Sequence, residues 1–128
     1  MDITKATPLP VPADWVTGTT RLANVPGAPE GFTYFHVEFE PGARTAWHRH
    51  PRGQLIYVTA GEGLVQRRGG PVERITAGDT VWTEPGEWHW HGAGPATGLS
   101  HLTLQGVDEH GDSASWGEPV GDDEYPGA

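Results

Sequence analysis

The run GARTAWHRHPRGQLIYVTAG, residues 42–61, decides how this chain is read. Pro41 and Gly42 open it with a turn, Thr45–His50 and Gln54–Thr59 read as short strands, and Ala60–Gly63 closes it with a second turn. His48 and His50 stand two apart on the first of these strands, so both imidazoles face one side. A second run, GDTVWTEPGEWHWHGA at residues 78–93, repeats the plan: a turn glycine, a strand, the turn Pro85-Gly86, then His89 and His91.

The flanking sequence continues the β pattern. Phe35, Val37 and Phe39 alternate with Tyr34, His36 and Glu38. Trp15–Leu22, Leu64–Arg68, Val72–Ile75, Thr80–Thr83 and Thr97–Gln105 read as further strands, and no segment holds a 3.6-residue apolar period over ten residues. Eight to ten short strands between Gly and Pro turns predict an all-β sandwich or barrel built as one domain. Residues 1–31 are expected to form an N-terminal arm and first strand, 32–106 the barrel core, and 107–128 an acidic tail, with Asp122–Glu124 solvated.

Composition agrees and excludes several functions. The 128 residues include 19 glycines and 12 prolines, too many for a helical bundle. Six tryptophans and 35% hydrophobic residues argue against disorder. With 8 basic and 17 acidic side chains the net charge is −9, so neither nucleic acid nor an anionic membrane surface is an expected partner. The absence of cysteine removes disulfides, zinc–thiolate sites and thiol nucleophiles. Neither a membrane-spanning stretch nor a leader-like N-terminus is present, and a cytoplasmic location is expected.

Seven histidines without cysteine point to imidazole chemistry. Two imidazoles on one strand face, met by a third from a neighbouring strand, can chelate a divalent ion, and a glutamine oxygen adds a harder neutral donor. A lone His-x-His is more often a surface or cross-strand pair, and it is the spacing around both pairs that favours a metal site.

That spacing resembles the small cupins. Gly42, His48, His50 and Gly61 fall where the family's first motif has them, with Gln54 in place of the usual Glu. Gly78, Gly86 and His89 match the second motif, whose proline is shifted to Pro85 and whose last position is Ala93. The resemblance implies a double-stranded β-helix, or jelly-roll barrel, holding one divalent metal ion on His48, His50, Gln54 and His89. With no charged ligand, such a site should bind metal more weakly than one with Glu and act as the stronger Lewis acid.

PGARTAWHRHPRGQ, TAGEG, PGEWHWHGA and SHLTLQ, with Pro12–Gly18, are further similar to the manganese-containing cupin hydroxynitrile lyases of the (R)-mandelonitrile type. That resemblance implies Mn2+, with Fe2+, Ni2+ or Zn2+ as other candidates, and cleavage of a small cyanohydrin to aldehyde and cyanide. It also implies His101 as the general base. His101 shares a strand face with Thr103 and Gln105, opposite Leu102 and Leu104. His91, Thr45, Trp47, Tyr57 and Gln105 are candidates for outer support of the site or for the substrate pocket. Arg44, Arg49 and Arg52 are expected to pair with carboxylates such as Glu38 and Glu40. A cupin dioxygenase acting on a small aromatic, and a non-enzymatic ligand-binding cupin, are the competing readings. Apolar residues on both faces of the strand around Leu55, Ile56, Tyr57 and Val58 predict a homodimer or homotetramer.

Overall fold

A computed structural model describes residues 1–126. Its twelve strands are β1 (Thr7–Leu9), β2 (Val16–Thr17), β3 (Thr20–Asn24), β4 (Phe32–Phe39), β5 (Arg44–Thr45), β6 (His48–Arg49), β7 (Gln54–Arg67), β8 (Glu73–Thr76), β9 (Thr80–Thr83), β10 (His89–Ala93), β11 (Leu99–Gly106) and β12 (Ser115–Trp116). The helical content is one 3₁₀ turn at Ala13–Trp15. All pairings are antiparallel, in the order β1-β3-β4-β11-β7-β10-β5-β2, with β8 and β9 on β7 and with β6 joining β10 to β12. This is the expected all-β architecture, a strongly curled antiparallel sheet forming the cupin barrel.

Strand β7 differs from expectation. Ala60–Gly63 does not turn the chain; the strand runs unbroken for 14 residues. Its first half pairs with β9 and β11, and its second half with β8 and β10, so it passes from one layer of the barrel to the other. Gly61 makes the crossing, with φ +82° and its backbone so close to the next strand that a Cβ would lie 1.9 Å from the Gly98 carbonyl oxygen. What reads locally as turn chemistry is here a bend within a strand.

Register sorts the barrel interior into rows. Thr33, Gln105, Gln54 and Thr83 stand directly opposite one another on β4, β11, β7 and β9. The next row is Phe35, Thr103, Ile56 and Val81, followed by Val37, His101 and Val58, then Phe39 and Leu99. The apolar rows form the main core with Val65 and Ile75. Ile56 and Val58 are fully buried, each worth roughly 1.5–3 kcal/mol. The outer face of the same strands is also apolar: Leu55, Tyr57 and Trp82 are exposed, alongside Leu102 and Leu104.

Asp122–Glu124 are exposed, as expected, but the C-terminal segment on either side of them packs on the barrel. β12 pairs with β6. Val120 and Tyr125 are buried in a second apolar cluster with Trp47 and Trp90. The buried Arg44 guanidinium donates to the Val120 carbonyl at 2.8 Å and to Asp122 at 3.0 Å, and lies 4.4 Å from the centre of the Tyr125 ring. The Tyr125 hydroxyl donates to the Ala93 carbonyl at 2.7 Å. Arg44 is thus committed to the C-terminal segment, and Arg21 from β3 pairs with Glu38 and Glu40 instead. The last two positions of the expected tail lie outside the described residues.

Candidate metal centre and cavity

His48 and His89 face each other in register across β6 and β10, and His50 follows two residues after His48, just past the end of β6 and on the same side. Their ring nitrogens converge within 4.8 Å of one another, and all three side chains are buried. Each ring is tethered through Nδ1 to a backbone carbonyl: His48 to Ala46 at 2.9 Å, His89 to Glu87 at 3.1 Å and His50 to Ser113 at 2.7 Å. A carbonyl only accepts, so every Nδ1 carries its proton and every Nε2 presents a lone pair. Trp116 stacks on the His48 ring at 4.4 Å, and Trp15 stacks on the far side of Trp116 at 4.6 Å.

Gln54 completes the group. Its Oε1 lies 3.0 Å from His89 Nε2, while its Nε2 donates to Gln105 Oε1 at 3.1 Å. Burial holds the His89 ring down to about 4 and the His50 ring to about 4. The His48 ring is well below its ordinary value, first through burial and then through the neighbouring rings. At neutral pH, therefore, two acceptor atoms face each other between Gln54 and His89, and the buried His50 Nε2 has no hydrogen-bond partner among the described residues. A cation resolves both features at once, because it accepts electron pairs where no proton is available. His48, His50, His89 and Gln54 fit a divalent metal ion.

The centre opens into a cavity of about 130 Å³, comparable in size to cavities that accept a benzene ring. Trp15, Leu22, Phe35, Val37 and Phe39 supply much of its apolar wall, and Thr45, Thr103 and Gln105 also reach it. His91 lines the cavity; His101 does not, being wholly buried behind it with its Nε2 3.0 Å from His91 Nδ1. Burial, reinforced by His101, pushes the His91 ring well below its ordinary value, and burial pushes His101 down to about 4. Both imidazoles are neutral, and His91 Nε2 has no partner among the described residues. The expected lone base is thus one half of a histidine pair whose cavity-facing member is His91.

Residues 35–100 match the model of the cupin domain. The chain belongs to the cupin family. A protein from Granulicella tundricola named (R)-mandelonitrile lyase is 52% identical over 116 residues, which cover 89% of this chain and 88% of that one. The crystal structure of a cupin-like protein from Thermotoga maritima superposes with a TM-score of 0.84 at 35% identity, covering 98% of this cupin and 95% of that chain. A cupin 2 conserved barrel domain protein from Rhodopseudomonas palustris shares the fold at 17% identity and a TM-score of 0.70, covering 94% and 79%.

Two proposed pocket residues fall elsewhere in this cupin. Tyr57 alternates with the inward Ile56 and Val58 and points outward, where it is 46% exposed. Trp47 precedes the inward His48 and packs on the opposite side, under the C-terminal segment, with its indole N–H donating to Glu124 at 3.3 Å. Sequence reading missed Ser113, Trp116 and Thr33. A tryptophan in an otherwise polar, acidic stretch was the available signal for Trp116; Ser113 acts through its backbone and leaves none.

Proposed function

We propose that this cupin is a metal-dependent lyase that cleaves, or in reverse forms, small cyanohydrins of the mandelonitrile type. The observation that carries the reading is the histidine pair beside an uncharged four-donor centre, both opening on one apolar cavity. The 52% identity to a named (R)-mandelonitrile lyase supports the substrate class.

A divalent ion on His48, His50, His89 and Gln54 would supply Lewis acidity toward the substrate hydroxyl, lowering its pKa without a protein charge to offset the effect. Mn2+ is the ion proposed, the Gln54 oxygen being the hard donor of the set. His91 Nε2, which lines the cavity and has no partner among the described residues, takes the hydroxyl proton. His101 holds the His91 ring in place through the Nδ1–Nε2 contact, and when it accepts there His91 Nε2 is left free as the base. As the C–O double bond forms, the bond to the nitrile carbon breaks and its electron pair leaves as cyanide. The His91 proton then passes to cyanide, giving aldehyde and hydrogen cyanide. Phe35, Val37 and Phe39 hold the apolar substituent and exclude water. We further propose a homo-oligomer in which a second copy covers Leu55, Tyr57 and Trp82.

The test is metal content together with cyanide release from racemic mandelonitrile. The reading expects about one metal per chain and release that is abolished by chelation and restored by Mn2+. Bound metal without cyanide release, with oxygen uptake on phenols, would overturn it.

A further inference from the structure

We infer that Gln105 and Thr33 are positioning residues that fix the polarity of the Gln54 amide, so that its carbonyl oxygen and not its NH2 group faces the histidines. The inference rests on the metal reading above.

A glutamine is a two-faced ligand. Its oxygen can bind a metal ion; its nitrogen cannot, and an NH2 group turned toward His89 Nε2 would make a good hydrogen bond in the metal-free protein. That flipped state would compete directly with the ion. Something must therefore decide which end of Gln54 points inward, and water cannot do so, because Gln54 and Gln105 are 3% and 2% exposed.

The deciding element is the row Thr33, Gln105, Gln54, which register sets side by side on β4, β11 and β7. Thr33 contributes its backbone carbonyl, which can only accept. Gln105 Nε2 donates to that carbonyl at 3.1 Å and to Thr33 Oγ1 at 2.7 Å. The end of Gln105 turned toward Gln54 is then its oxygen, which accepts from Gln54 Nε2 at 3.1 Å. The end of Gln54 left for the centre is its oxygen. The direction of the whole chain follows from one acceptor-only atom at its start. A glutamate at position 54 would need no such arrangement, since both of its oxygens can bind metal; the relay accompanies the replacement of that carboxylate by an amide.

The experiment is a calorimetric Mn2+ titration of the full chain carrying Gln105→Leu, Gln54→Glu, both, or neither. Gln105→Leu should weaken Mn2+ binding about 10–100-fold in the parent, the usual cost of losing an outer partner of a metal ligand. In the Gln54→Glu background it should change binding by no more than about twofold, because the amide polarity it controls is gone. Gln105→Met keeps the side chain's length but removes both amide atoms, and should weaken binding by a comparable factor; it carries the test if Gln105→Leu does not fold. Equal losses in both backgrounds would mean that Gln105 acts only by packing and would overturn the inference, as would unchanged affinity in whichever Gln105 variant folds. A parent chain that binds no divalent ion would instead overturn the metal reading itself, and the inference with it.

Discussion

His48-x-His50 and His89-x-His91 have the same spacing, lie on facing strands and are equally buried, yet their four rings do two different things. His48, His50 and His89 each give Nδ1 to a backbone carbonyl, while His91 meets a second imidazole, His101. A carbonyl locks the tautomer and leaves Nε2 permanently as a lone pair, which is what a metal ligand requires. A partner imidazole can either donate or accept, so the proton on His91 can move, which is what a base requires. Spacing brings the rings together; the atom behind each ring decides whether its tautomer is locked.

The largest effect should come from crossing that divide. His89→Ala should weaken metal binding by more than the roughly 100-fold that an outer partner is worth, whereas His91→Ala should keep the metal and lower kcat about 10²–10⁴-fold, the usual value of a general base. Metal analysis beside steady-state kinetics reads both, and equal metal loss in the two variants would break the comparison. Next, His101→Leu should retain the metal and lower kcat about tenfold with little change in KM, the value of one lost hydrogen bond to the base. A fully active His101→Leu would leave His91 acting alone.

The pH dependence of the metal-free protein comes third. His50, His89 and His101 have folded pKa values of about 4 against an ordinary 6.5, so the unfolded chain binds protons first as pH falls. Their contribution to stability is intact above 6.5 and is lost progressively from 6.5 down to about 4. The melting temperature should follow that course; a flat profile would mean that burial does not hold these rings neutral. The smallest effect should be that of Trp116→Ala, which removes the stack on His48 but leaves its carbonyl tether. Metal affinity should fall about tenfold or less, within the range for stacking and outer-partner losses.

Much of the barrel was legible because its signals are local. The motif glycines Gly42, Gly61, Gly78 and Gly86 all adopt positive φ, between 78° and 96°, as their turn-like surroundings suggest. Alternation along β11 correctly separated His101, Thr103 and Gln105 from Leu102 and Leu104. Position along the chain, however, does not state depth. His101 and His91 both point inward, and only the three-dimensional packing reveals which one meets the cavity. Gly61 misled for a related reason, since a glycine that permits a reversal equally permits a close crossing within a strand. The C-terminal segment was read from its charge, whereas its function lies in a carbonyl at Ser113 and the rings of Trp116 and Tyr125.

The tether between His50 and Ser113 has a consequence for the order in which the molecule is made. Those residues are 63 positions apart, so during synthesis the strand bearing His50 leaves the ribosome well before the carbonyl that will orient its ring exists. His48 and His89 find their carbonyls two residues away, at Ala46 and Glu87, so His50 is the one of the three rings whose orientation waits for the C-terminal segment.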